Sequence, residues 1–243
     1  MLRLVLKRKT NSISENIRYS RVKGSCLLVL LLLTFYCYSQ EIVEKSINSK
    51  LEKVLIEFDQ IDNIRLFNNH DGSDIIVRAE SAIQIPSFQL KEHNGHILIK
   101  DYEPFGANEE SNADKVCSIE PNYTSYQIYI PKNKILYVSF IEGNFYSENY
   151  QGDLNLKVED GVLKLNKVFG HTNIQLNSGS VFVHEIKNTK IDAETNLGTL
   201  LTDLADETQI KDSRKLLKPH ANPSNSLIIR TILANIYLYG SKG

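Results

Sequence analysis

The residues that could do chemistry are few and scattered. His93 and His96 flank Asn94-Gly95, so a two-residue turn there would set two imidazoles opposite each other. Two imidazoles can begin a metal site, but zinc needs a third or fourth ligand, and Glu92 is the one obvious neighbour. A solvated pair at a turn is the better reading. Asp71-Gly-Ser-Asp74 lacks the acidic count of an EF-hand loop and reads as an ordinary Asx-type turn. Glu142, Asp153 and Glu159-Asp160 lie near glycines, yet the glycine density is far below that of calcium-binding β-roll repeats. His171 and His184 read as surface residues at different corners of one repeat unit. Neither a Gly-x-Ser-x-Gly elbow nor a His-Glu-x-x-His helix occurs, and no glycine-rich phosphate loop opens a helix. No catalytic residue, no cofactor and no metal ligand is therefore assigned. The remaining candidate is aromatic: Tyr123, Tyr126, Tyr129, Tyr137, Tyr146 and Tyr150 crowd one stretch. Tyrosines on a flat β-face can stack on sugars or anchor an interface, but half-buried rings covering the first repeat are the better reading.

The elements that would position these residues read as strands. Val54–Phe58, Ile64–Phe67, Ile75–Ala79 and Ile97–Ile99 are short runs rich in β-branched residues, and none reaches helical length. Asn94-Gly95 between Phe88–His93 and His96–Lys100 is a strong hairpin signal. Residues 105–121 are polar and read as an exposed loop.

From Ile135 onward the chain repeats every 18 residues: ILYVSFIEGNFYSENYQG, DLNLKVEDGVLKLNKVFG, HTNIQLNSGSVFVHEIKN. Gly143, Gly161 and Gly179 fall in register, as do Gly152, Gly170 and Asn188. Apolar columns run through Val138, Leu156 and Ile174; Phe140, Val158 and Leu176; Phe145, Leu163 and Val181. Leu165 and Val183 follow Ser147 in a further column, and Tyr150, Val168 and Ile186 make the last. A fourth unit has one inserted residue and places Ala193, Thr195, Gly198 and Leu200 in the matching positions. A final unit holds Leu227, Ile229, Ile236 and Leu238, after a proline-containing stretch around Leu216–Ser226 that reads as a loop. One unit cannot bury its apolar side alone, and stacking units about 4.8 Å apart lines the inward residues into ladders. The expected fold is all-β, a β-solenoid or β-helix-like stack. An antiparallel β-sandwich is the alternative. The ends of such a stack need caps, and the earlier strands and the tail from Tyr237 to Gly243 are the candidates. Outward columns such as Glu148, Asn166, His184 and Asn149, Lys167, Glu185 keep no single charge, and nothing resembles a carboxylate pair for glycoside cleavage.

The first 39 residues differ in kind. Seven basic residues precede an apolar run from Cys26 to Tyr38, and Cys37-Tyr38-Ser39 offers small residues at −3 and −1 before Gln40. The run is about thirteen residues, short of the roughly 20 that span a bilayer. A cleaved signal peptide is expected, with an uncleaved N-terminal anchor as the alternative. Lipidation at Cys26 or Cys37 is disfavoured, because neither has the small residue at −1 with an aliphatic at −3. Removing residues 1–39 leaves 21 basic and 28 acidic residues, a net charge of −7. That argues against nucleic acid or an anionic membrane surface as partner. Only Cys117 remains, so no intrachain disulfide is possible in the mature part.

Tyr126-Gln-Ile-Tyr-Ile-Pro131, followed by Ile135-Leu-Tyr-Val138 and the glycine-centred repeats, resembles the head (GIN) domain of auto-transporter adhesins. Phe58-Asp-Gln-Ile61, Ile64-Arg-Leu66 and Ile75-Ile-Val77 resemble the opening of the same family. The likeness runs from about Val54 to Gly240. The proline-containing interruption, and Leu197 and Asn235 at corners where flexible residues dominate, depart from the pattern. The resemblance implies an exported, non-catalytic β-repeat protein of Bacteroidetes type, and it brings no catalytic residues with it. The expected organisation is a leader (1–39), an N-terminal β segment (40–104), the polar loop (105–121) and a repeat segment (122–243) continuous with 40–104. The expected role is an adhesin-like binding or structural module of the cell envelope, in the periplasm, at the outer-membrane surface or outside the cell. Its partner would be a glycan or an envelope or host protein, and a homo-oligomer through uncapped ends is compatible. A periplasmic accessory protein is the alternative, and a polysaccharide-active β-helix enzyme the outsider.

Overall fold

The computed structural model describes residues 41–69, 72–81, 85–101, 124–204, 209–210, 213–220 and 223–240. The leader, the polar loop, Cys117 and Tyr123 lie outside these residues. Residues 41–243 cluster as one compact unit. In chain order the strands are β1 (Glu41–Asn48), β2 (Lys53–Glu57), β3 (Gln60–Asn68), β4 (Asp74–Ser81), β5 (Phe88–His93), β6 (His96–Asp101) and β7 (Thr124–Ile130). The three long strands follow: β8 (Ile135–Ser147), β9 (Asp153–Leu165) and β10 (His171–Ile186). Then come β11 (Thr189–Thr195), β12 (Leu200–Thr202), β13 (Gln209–Ile210), β14 (Lys215–Lys218), β15 (Asn225–Thr231) and β16 (Asn235–Gly240). The fold is all-β, and these strands form one mixed sheet. β5 and β6 pair as the hairpin read from Asn94-Gly95, whose φ values of 47° and 77° suit that tight turn.

The repeat is realised as parallel pairing at its own period. β8 pairs β9 and β9 pairs β10, each residue facing the one 18 positions on, as in Leu136 with Leu154 and Phe145 with Leu163. Inward residues alternate until the middle of each strand, where the phase changes. Phe140 and Phe145 are both buried although five positions apart, because the strand turns a corner at Gly143. Gly143, Gly161 and Gly179 stack at this corner with φ of 145°, 156° and 113°. A Cβ on Gly161 would stand 1.8 Å from the Gly143 carbonyl oxygen, and one on Gly179 1.9 Å from that of Gly161. The rungs approach so closely here that no side chain fits. Every apolar column read from the sequence lies in the core.

At the N-terminal side β2 pairs the first half of β8 and β3 the second half, both in parallel. β6 and β7 add parallel strands outside them, and β4 and β1 continue antiparallel beyond β7.

The C-terminal side departs from the sequence reading. The final unit does not end the stack. β15 and β16 pair β10 on one side and β11 and β12 on the other, all in parallel. The expected tail cap at Tyr237 is therefore an interior strand. The stretch around Leu216, expected as a loop, contains β14, which lies antiparallel on β11 and carries β13. Leu216 is fully buried there. Chain order and rung order differ because β15 and β16 return to pair β10 after β13 and β14 have been laid beyond β11. A hydrophobic pattern records which residues face inward and is silent about which rung neighbours which.

Candidate functional site

The outer face of the second half-strands carries an aromatic row. Arg65, Tyr146, Lys164, Phe182, Tyr237 and Leu201 stand side by side on β3, β8, β9, β10, β16 and β12. Phe182 stacks on Tyr237 at 4.6 Å between centroids and 5° between planes. The Lys164 ammonium lies 5.6 Å from the Tyr146 ring centre and 5.7 Å from that of Phe182. Neighbours one rung apart occupy these ring faces, so the row presents edges and hydroxyls to solvent. It is a ladder that ties rungs together more than a flat platform for sugar rings.

Two positions along, a polar row borders an open groove of ≈ 690 Å³. Glu148, Asn166, His184, Tyr239 and Asp203 line it, with Asn149, Lys167 and Glu185 at the adjoining corner. The Asn166 side-chain amide donates to Glu148 at 2.8 Å, and His184 stacks on Tyr239 at 4.9 Å. Lys167 pairs with Glu185 at 3.1 Å. Asp203 accepts the Gly240 backbone N–H at 2.6 Å. Glu185 has φ of 46°, the left-handed region that a glutamate adopts at a cost on the order of 1 kcal/mol. The β10–β16 register also shifts there, between Val183 and Ile186. Three carboxylates against one lysine make the groove acidic, suited to neutral or basic hydrogen-bonding ligands. Among the described residues no group of three His, Cys, Asp or Glu side chains could hold a metal ion. The two columns set aside in the sequence for their mixed charge are the ones that line this groove. The signal was the period itself, because Glu148, Asn166 and His184 are spaced by 18 residues.

Of the six tyrosines singled out in the sequence, the five described do not share a surface. Tyr123 lies outside the described residues. Tyr126 is buried, stacked on Phe58 at 4.1 Å and edge-on to Phe88 at 6.0 Å. Its hydroxyl donates to Asp101, and burial pushes its pKa far up. Tyr150 is buried at the other corner, its hydroxyl donating to the Lys134 carbonyl at 2.6 Å, and burial raises its pKa as well. These two serve the core, contrary to a surface role. Tyr129 faces outward, stacked on Phe67 at 5.1 Å with the Arg78 guanidinium 5.4 Å from its ring. Tyr137 is 42% exposed on the first half of β8, beside Leu55 and Asn155. Tyr146 alone belongs to the aromatic row. His93 and His96 meet edge-on at 5.8 Å on the exposed hairpin.

A second, smaller cleft of ≈ 310 Å³ lies beside Phe58, Asp59, Lys100, Asp101 and Lys157. Asp101 is held above the usual carboxylate range, chiefly by burial, with the Tyr126 hydrogen bond opposing. The sequence reading did not single out Asp101.

No known family profile matches the sequence, and no curated protein matches it. The structure is similar to solved ones. A proposed cell adhesion protein from Clostridium sporogenes aligns with a TM-score of 0.57 at 12% identity, over 84% of this chain and 100% of its own. A proposed adhesin from Bacteroides fragilis aligns at 0.35 and 10%, over 82% and 98%. Another from Parabacteroides distasonis aligns at 0.24 and 9%, over 83% and 97%. Scores of that size from the last two carry no argument, and 12% identity speaks to fold alone. The chain is thus similar in its all-β fold to the clostridial protein.

Proposed function

We propose that this chain is an exported, non-catalytic, adhesin-like module of the cell envelope that binds a glycan in the groove between Glu148 and Asp203. The groove is the observation that carries the reading: an open, polar, acidic cleft on the outer face of a rigid stack, bordered by the His184–Tyr239 pair. Its carboxylates are engaged by Asn166, Lys167 and the Gly240 N–H, an arrangement for holding rather than for proton transfer. The fold belongs to this proposal as a β-solenoid rather than a sandwich, supported by parallel pairing at 18-residue spacing. The head-domain resemblance and the name of the similar clostridial cell adhesion protein support export and an envelope role. The basic and apolar leader supports the same reading.

The test has two parts. Protease shaving of intact source cells, with a periplasmic control protein, reads location. Binding of the full chain to a glycan array, against Glu148→Gln and Asp203→Asn, reads the groove. Rapid loss on shaving, with array signals that fall at least tenfold in both variants, is the expected result. Full protection in intact cells, or signals indifferent to both substitutions, would overturn it.

A second reading, a periplasmic accessory protein with a protein partner, is favoured by one observation. Leu197, Ile232 and Leu233 are 67%, 45% and 56% exposed at one corner of the C-terminal rungs. Protection on shaving together with co-purification of an envelope protein, lost in Leu233→Ser, would favour it.

A further inference from the structure

β10 and β11 are consecutive in the chain and joined only by Lys187 and Asn188, yet they do not pair with each other. A whole rung separates them, and it is filled by β15 and β16, the last strands of the chain. Without that pair, β10 and β11–β12 would flank a gap one rung wide, with an unpaired backbone row on each side. The occupant completes both rows and contributes the buried Leu227, Ile229, Ile236 and Leu238. It is also read from outside. Tyr237 lies on Phe182, and Tyr239 on His184. A strand entering this gap needs inward aliphatic residues and outward aromatics in that register, which this chain's own segment has.

We propose that the gap between β10 and β11–β12 is a strand-acceptor site that takes residues 225–240 of a second copy in place of its own, so that two chains interlock. The contacts between acceptor and segment are the same in either case, so the choice rests on connection and concentration. Six residues, Pro219 and Pro223 among them, link β14 to β15 in one chain. Such a short link sets an effective concentration on the order of millimolar for the chain's own segment. Exchange therefore belongs to concentrated, newly folding chains, the state of many copies at one site on an envelope. This inference is independent of what the groove binds.

The test places cysteines across the register, in full chains with Cys26, Cys37 and Cys117 changed to serine. Phe182 and Tyr237 face each other directly. Chains carrying Phe182→Cys and chains carrying Tyr237→Cys are mixed, refolded together and oxidised. A disulfide-linked heterodimer at ~200 μM that falls at least tenfold at ~1 μM is the expected outcome, the concentrations chosen below the millimolar scale of the link. A chain carrying both substitutions controls the geometry and forms the bond within itself at either concentration. If that control closes while the mixed chains stay monomeric at every concentration, exchange is overturned. If the control fails to close, the acceptor register itself is wrong and the proposal falls with it.

Discussion

The three middle rungs and the two C-terminal rungs turn the same corner by different means. In β8, β9 and β10 the strand runs unbroken through a glycine of positive φ, and the rungs close to within a carbonyl's reach. In the C-terminal rungs the strand breaks, into β11 and β12 or into β15 and β16. Register puts Ala234 where the glycine column would continue. The Thr195 and Thr231 hydroxyls both donate to the Ala234 carbonyl at 3.0 Å, and the Gly198 N–H donates to Thr195 at 3.0 Å. One corner is made by the absence of side chains and the other by buried hydroxyls. The second carries a Cβ at Ala234 but still needs Gly198 beside it, whose own Cβ would stand 2.1 Å from the Ala234 carbonyl oxygen, and it exposes Leu197, Ile232 and Leu233.

The largest effect should come from removing residues 225–243. This takes four buried Leu and Ile side chains from the core, each worth about 1.5–3 kcal/mol. That exceeds what an end rung can spare within a total stability of about 5–15 kcal/mol. Hydrogen exchange should show residues 189–218 unprotected while 135–165 keep protection. Uniform protection in the truncated chain would mean that β11 closes onto β10 directly.

Next comes a pair of substitutions in one column. Gly161→Ala drives a Cβ into the Gly143 carbonyl and should cost about 3 kcal/mol or more, read as a fall in urea midpoint. Ala234→Gly should cost about 1 kcal/mol or less, since that corner does not depend on the missing methyl. Equal costs would erase the distinction between the two corners.

The aromatic row joins the two regions, because Phe182 lies on a middle rung and Tyr237 on a C-terminal one. A double-mutant cycle with Phe182→Ala and Tyr237→Ala should give a coupling of about 0.5–1.5 kcal/mol. Zero coupling would mean that the rings share a face without holding the rungs together. Smaller still, Glu185→Gly relieves the left-handed backbone and should stabilise by up to ~1 kcal/mol while weakening groove binding.

The smallest effect concerns the N-terminal end, where polar burial appears again. Asp101 keeps its proton more tightly in the folded protein than in the unfolded chain, because burial raises its pKa from 3.8. Its contribution is therefore full at low pH and is lost as pH rises through the folded value. Asp101→Asn should flatten that part of the stability–pH curve, measured by urea midpoints. A slope identical to that of the parent would assign the pH dependence to other groups.

Much of the inward pattern was legible in the sequence. Val138, Leu156 and Ile174 read as one column and pack as one, because burial imposes a period that composition records. Leu197 and Asn235 marked the corners that do break. Rung order was not legible, since Leu227 is equally inward beside β10 or beyond β12. The groove was half legible. Its columns were visible in the period, but reading them for one repeated charge missed that Glu148, Asn166 and His184 differ from rung to rung while sharing one cleft. Tyr126 and Tyr150 could be read from the sequence either as surface anchors or as rings covering the first repeat, and both are buried. Each in fact spends its hydroxyl on an interior acceptor, Asp101 and the Lys134 carbonyl.

The interior position of β16 also bears on mechanical load. A pull on Gly240 along the strand must slide Asn235–Gly240 past β10 and β12 together, loading two parallel ladders in shear at the same moment. A strand such as β1, which among the described residues pairs with β4 alone, could instead be stripped from one ladder. Tension entering from the C-terminal side would meet a strand held on both edges.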